Sequence, residues 1–77
     1  LPNLVQIDDK IKLDQFLKWS RLASTGGESK HMIKNGLVRV NGVTEARRGR
    51  VLKHGDVVQI EREGEYVVSS RSTDTGN

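Results

Sequence analysis

Cysteine is absent from the 77-residue chain, which excludes a disulfide framework and any thiolate metal site. That absence is compatible with a reducing compartment without requiring one. No apolar run approaches the roughly 18 residues that a membrane-spanning helix needs. Nor does the chain open on a basic n-region, an apolar h-region and a small-residue cleavage site. Leu1 in place of Met suggests a trimmed chain, and a soluble cytoplasmic domain is the expectation. Aromatic residues are scarce: Phe16, Trp19 and Tyr66 are the whole set. Apolar residues make up 34% of the chain, enough for one small core and no second domain.

Charge is plentiful and unevenly distributed. Residues 1–9 carry a net −2, from Asp8 and Asp9. Residues 10–54 hold eleven Lys and Arg against three Asp and Glu, a net +8, and residues 55–77 carry −3. A basic centre between acidic ends points to a polyanionic partner for one face, with nucleic acid favoured over a merely solvated basic surface.

Hydrophobic spacing divides the chain into helices first and strands afterwards. Leu4, Val5 and Ile7 suggest a short leading strand. Leu13, Phe16, Leu17 and Ser20 recur at helical spacing, predicting a helix from Lys12 to about Ser20. Trp19 lies at the edge of that stripe, and a partly buried packing role is favoured over base stacking. The helix has no glycine stop, since Arg21 stands where a left-handed C-cap residue is wanted. Thr25-Gly26-Gly27-Glu28 is a capping box, in which Thr25 accepts from the amide near Glu28 while Glu28 reaches back to Thr25. The second helix then carries Ser29, Met32 and Ile33 on one face and Lys30, His31 and Lys34 on the other. Asn35-Gly36 ends it.

From Leu37 the period changes to two, with Val38 and Val40 on one face and Arg39 on the other. Asn41-Gly42 is the preferred pair for a type I′ hairpin, with Val43-Thr44 as the return strand. The basic loop Arg47-Arg48-Gly49-Arg50 follows, then a turn at His54-Gly55-Asp56 and strands over Val57–Ile60 and Tyr66–Val68. These elements predict an α+β fold, two short helices packed on a small, mostly antiparallel sheet. Residues 1–9 read as a leading segment, 10–68 as a single domain and 69–77 as a flexible polar tail.

Catalytic constellations are poor. His31 and His54 lack any metal-ligand spacing, and Asp14 and Asp56 suit a helix first turn and a tight turn respectively. Ser20, Ser24 and Ser29 have no evident base. No catalytic residue, metal, cofactor or small-molecule substrate is therefore expected. Binding groups are better supplied. Gly26 and Gly27 open the second helix, where free amides and the dipole favour an anion, although the same glycines equally ease an interhelical turn. Lys30, His31 and Lys34 project from that helix, and Arg47, Arg48 and Arg50 offer planar forks suited to phosphate. Few strand aromatics argue against single-strand readers and for recognition of folded RNA by shape and phosphate.

The order of these pieces resembles the small RNA-binding domain named after ribosomal protein S-four. The matching residues are Lys12-Leu13-Asp14, Leu17, Glu28, Lys30, Ile33, Gly36, Val38, Val40-Asn41-Gly42, Val51 and Gly55-Asp56, covering about residues 10–60. Trp19, the Thr25–Glu28 box and Arg47-Arg48-Gly49 look most like small stand-alone bacterial members. The resemblance implies a helix–helix–strand (αL) motif and binding of structured RNA, with the ribosome among the partners; a monomer with no membrane association is the separate expectation. It also implies RNA-facing roles for Lys12, Lys30, Lys34 and Arg39, while Lys10, Gly26, Gly27, His31, Arg47, Arg48 and Arg50 join the candidate set from charge and position. Three positions depart from the family pattern: Arg21 replaces a usual glycine, Gly26-Gly27 a Ser-Arg type pair, and the arginine loop a less basic stretch that often contains proline.

Two other classes share features with the chain. A protein-binding adaptor would use a basic face for an acidic partner. A sulfur-carrier β-grasp protein shares the Val-Asn-Gly and Gly-Asp-Val segments but needs a terminal Gly-Gly, whereas this chain ends Thr75-Gly76-Asn77.

Overall fold

A computed structural model describes residues 3–71. Strand β1 (Asn3–Ile7) leads into a two-residue β2 (Ile11–Lys12), followed by helices α1 (Leu13–Trp19) and α2 (Gly26–Lys34). Among the described residues five strands follow: β3 (Val38–Val40), β4 (Val43–Thr44), β5 (Val51–Leu52), β6 (Val57–Ile60) and β7 (Gly64–Ser70). The main sheet has the order β1-β7-β6-β3-β4, antiparallel except where β1 runs parallel to β7. Strands β2 and β5 form a second, two-stranded antiparallel ladder. The α+β class and the mostly antiparallel sheet expected from the sequence are both present.

Each helix buries one stripe. Leu13, Phe16 and Leu17 of α1 are fully inaccessible, and Met32 and Ile33 of α2 meet them together with Val38, Val40, Val58, Ile60 and Val68 from the sheet. Truncating a side chain such as Phe16 in so small a core costs about 3–5 kcal/mol. Both helices end in the same hydrogen-bonded turn. In α2 the Gly36 amide donates to Ile33 and the Leu37 amide to Met32, with Gly36 at φ 74°. In α1 the Arg21 amide donates to Lys18 and the Leu22 amide to Leu17, with Arg21 at φ 65°. This is the Schellman arrangement, made once with glycine and once with arginine. The missing glycine stop therefore does not prolong α1. The Asn41-Gly42 turn has φ values of 53° and 86° and brings Val40 opposite Val43, as a type I′ hairpin requires.

Two expectations change at the ends and edges. Strand β7 runs through Ser70, so Ser69 and Ser70 are not tail residues but pair with Gln6 and Ile7 of β1. Ser70 is buried, donating from its hydroxyl to the Asp8 carbonyl and from its amide to His54 Nδ1. The β1 backbone supplies partners that make a polar segment compatible with burial, which composition alone does not reveal. Of the rest of the expected tail Arg71 is exposed, and residues 72–77 lie outside the described residues, as do residues 1 and 2 of the leading segment. The β2–β5 ladder is a second departure, because two-residue strands carry no alternation to read.

Candidate nucleic-acid interface

The second helix presents its cations because its apolar residues are committed inward. Ser29, Met32 and Ile33 are buried, and Lys30, His31 and Lys34 are exposed. Thr25 Oγ1 accepts from the Glu28 amide at 3.1 Å, as the capping box predicts. Glu28 reaches back one residue further than expected, its Oε1 accepting from the Ser24 amide at 2.7 Å. Among the described residues the amides of Gly26 and Gly27, the first two of α2, have no protein acceptor.

The arginine loop is organised by one buried carboxylate. Glu45, 7% exposed, accepts from the Arg47 amide at 3.1 Å, Arg47 Nε at 3.0 Å and Arg50 Nη1 at 2.8 Å. Hydrogen bonds from the two guanidiniums, Arg47 first and Arg50 second, outweigh desolvation and hold the Glu45 carboxyl at about 2, down from the usual 4.5. The Arg47 guanidinium is raised by the same contact. The loop backbone then docks on α1: the Arg50 carbonyl accepts from the Leu13 amide at 2.8 Å and the Arg48 carbonyl from the Asp14 amide at 3.1 Å. These bonds satisfy two of the amides that a helix start leaves without partners. Charge counting thus overstates the loop. Arg47 and Arg50 are both paired with Glu45, Arg50 the less exposed of the two and Arg47 still 75% exposed at its side chain, whereas Arg48 is exposed with no acidic partner among the described residues.

This docking brings the loop against α2. Lys30, Ile33 and Lys34 form one wall of a groove of about 570 Å³, with Ala46, Arg47, Arg48 and Gly49 as the other. Lys10 and Lys12 lie around the corner, at the entry to α1, beside Ile11, Gln15 and Val51. Lys12 pairs with Val51, the residue that follows Arg50 in the chain. Arg39 is not brought to this groove. Strand alternation buries Val38 and Val40 beneath the helices and turns Arg39 to the other face, in a hollow with Gln59, Glu61, Arg62 and Glu65. The other candidates for chemistry have structural duties: Asp56 accepts from the Lys53 amide and Asn41 Nδ2, and His54 Nδ1 accepts from Ser70. Among the described residues no group of three His, Cys, Asp or Glu could hold a metal, and no helix is long and apolar enough to cross a membrane.

Trp19 departs most from its sequence reading. It is 56% exposed, so the packing role favoured by its place beside the α1 stripe is incorrect. Its Nε1 donates to the Gln6 carbonyl at 2.9 Å, tying the indole to the end of β1. Ile7, Asp8, Lys10, Ile11, Gln15 and Lys18 line the groove beside it. A helical projection placed it at the boundary between faces, and only the position of β1 decides on which side it falls.

A helix–helix–strand unit with a basic groove beside it, carried on a small mixed sheet, defines the class of α+β domain to which this chain belongs. The S4 domain family model matches residues 5–69, and the chain belongs to that family. It is similar to "Probable ribosome maturation protein RlbA" of Bacillus subtilis (strain 168), with 41% identity over 69 residues, spanning 88% of this chain and 97% of the relative. The relative's name assigns that protein to ribosome maturation.

Proposed function

We propose that this chain binds structured RNA, ribosomal or transfer RNA, without catalysing a reaction on it. The observation that carries the reading is the groove between α2 and the arginine loop, where Lys30, Lys34, Arg47 and Arg48 converge with no acidic side chain lining it. Arginine forks and lysine ammoniums at that spacing suit successive phosphates of an RNA backbone. The amides of Gly26 and Gly27 extend the same helix toward anions. A relative named for ribosome maturation supports ribosomal RNA as the first ligand to test, and the proposed form of the protein is a cytoplasmic monomer.

The test is the salt dependence of binding to a folded ribosomal RNA fragment. About four to six phosphate contacts give a log–log slope of about −3 to −5. A slope near zero overturns the electrostatic reading. Binding to acidic proteins with equal affinity favours an adaptor instead.

A further inference from the structure

The groove beside Trp19 is separate from the α2 groove and is built differently. Its floor is apolar, from Ile7 and Ile11, and its rim carries Lys10 and Lys18 against one carboxylate, Asp8. Gln15, Lys18 and Trp19 lie three and four residues apart and so share the outward face of α1. The indole is exposed yet held in place, because its one polar atom is bonded to the Gln6 carbonyl. An aromatic surface fixed in advance loses little freedom when a flat partner covers it.

The surface also connects to the candidate interface. Lys10, Ile11 and Gln15 are shared with the neighbouring hollow that includes Lys12 and Val51. Val51 follows Arg50 in the chain, and the Arg48 and Arg50 carbonyls cap the start of α1. Cations therefore continue from Lys30 and Lys34, through the arginine loop and Lys12, to Lys10 and Lys18.

We infer that Trp19 is a stacking platform for an unpaired RNA base, with Lys10 and Lys18 placed to receive the phosphates on either side of it. The inference rests on the proposed RNA binding and specifies the RNA further, as a helix with an unpaired nucleotide beside it. An unpaired nucleotide satisfies both parts of the groove. Its base covers indole and isoleucine, and its phosphates neutralise the lysines. An apolar peptide would cover the floor and leave the ammoniums facing it without counter-charge.

Trp19 is the single tryptophan of the chain, so its fluorescence reports on this groove alone. Two RNA probes are compared at low salt: a blunt stem–loop, and the same stem–loop with a short single-stranded oligoadenylate extension. The extended RNA is expected to quench the indole and to bind more tightly, while the blunt RNA binds with little fluorescence change. Trp19→Ala is expected to weaken binding of the extended RNA by about 5- to 150-fold and of the blunt RNA hardly at all. Trp19→Phe, which keeps an aromatic face, restores most of the preference. The wild-type quenching comparison decides the matter even if Trp19→Ala fails to fold.

Lys34→Ala separates the two readings by weakening both RNAs equally. If both RNAs bind, respond to Lys34→Ala and leave the fluorescence alike, the stacking assignment falls and the phosphate groove stands. If neither RNA binds, both fall. Equal loss of both RNAs in Trp19→Ala, or quenching by polyglutamate without preference for the extension, also overturns stacking, the latter in favour of a protein partner.

Discussion

Arg21 holds a left-handed backbone conformation that costs a residue with a Cβ about 1–2 kcal/mol. The Schellman bonds to Lys18 and Leu17 require that conformation. Arg21→Gly is therefore expected to raise stability by about 0.5–1 kcal/mol, part of the gain being offset by the greater freedom of glycine in the unfolded chain. A thermal melt shifted upward by a few degrees checks it, and an unchanged or lower melting temperature contradicts it. Glu45 sets the pH dependence of its loop. Its folded pKa of about 2 lies below the usual 4.5, so the contribution it makes is present above about 4.5 and is lost as pH falls toward 2. Glu45→Gln should flatten the fall in melting temperature between pH 5 and pH 2, relative to the original protein. Parallel profiles for the two proteins would show that the arginine pair contributes nothing to stability.

At the scale of elements, α2 divides its duties by face. Lys30→Ala, Lys34→Ala and Arg48→Ala each remove an exposed cation and should leave the melting temperature nearly unchanged. Each is expected to weaken RNA binding similarly for all sequences and to lower the salt slope by about one. Met32→Ala should do the reverse, since Met32 is 9% exposed and its truncation costs about 2–5 kcal/mol. RNA affinity that survives all three charge deletions would place the binding face elsewhere. Helix α1, with seven residues, is too short to persist alone and depends on Arg48 and Arg50 carbonyls at its start and on Phe16 and Leu17 in the core. The elements most visible in the sequence are those with a complete local signal: the Thr25 cap and Gly36 stop of α2, and the Asn41-Gly42 hairpin. Strands β2 and β5 have no such signal, and the last residues of β7 lack apolar character because backbone pairing with β1 holds them.

For the whole molecule, the sequence concentrates positive charge in the middle of the chain, and the fold spreads it around the helices. Lys10, Lys12 and Lys18 gather around α1, Lys30 and Lys34 meet Arg47 and Arg48, and Arg39 is set among carboxylates on the other face. With only one strongly exposed aromatic, Trp19, the protein is expected to prefer stems and junctions over unstructured strands. Competition assays should find a poly-pyrimidine strand displacing folded RNA poorly, and equal displacement would contradict that preference. Arg39→Ala should change RNA affinity little compared with Lys30→Ala, because its surroundings are already acidic.

The sequence by itself determined the α+β class, the helix–helix–strand order and the buried stripes. These depend on periodicity, capping and turn chemistry, which act between neighbouring residues. Only the tertiary structure decided which charges share a surface. The arginine loop reaches α2 because backbone bonds to Leu13 and Asp14 dock it across the start of α1, and Glu45 withdraws Arg50 by a contact that no composition records. Trp19 is exposed because β1 joins the sheet beside β7, leaving the indole to bond Gln6 at the margin of the core. Those placements come from pairings between residues far apart in the chain, and local periodicity carries no information about them.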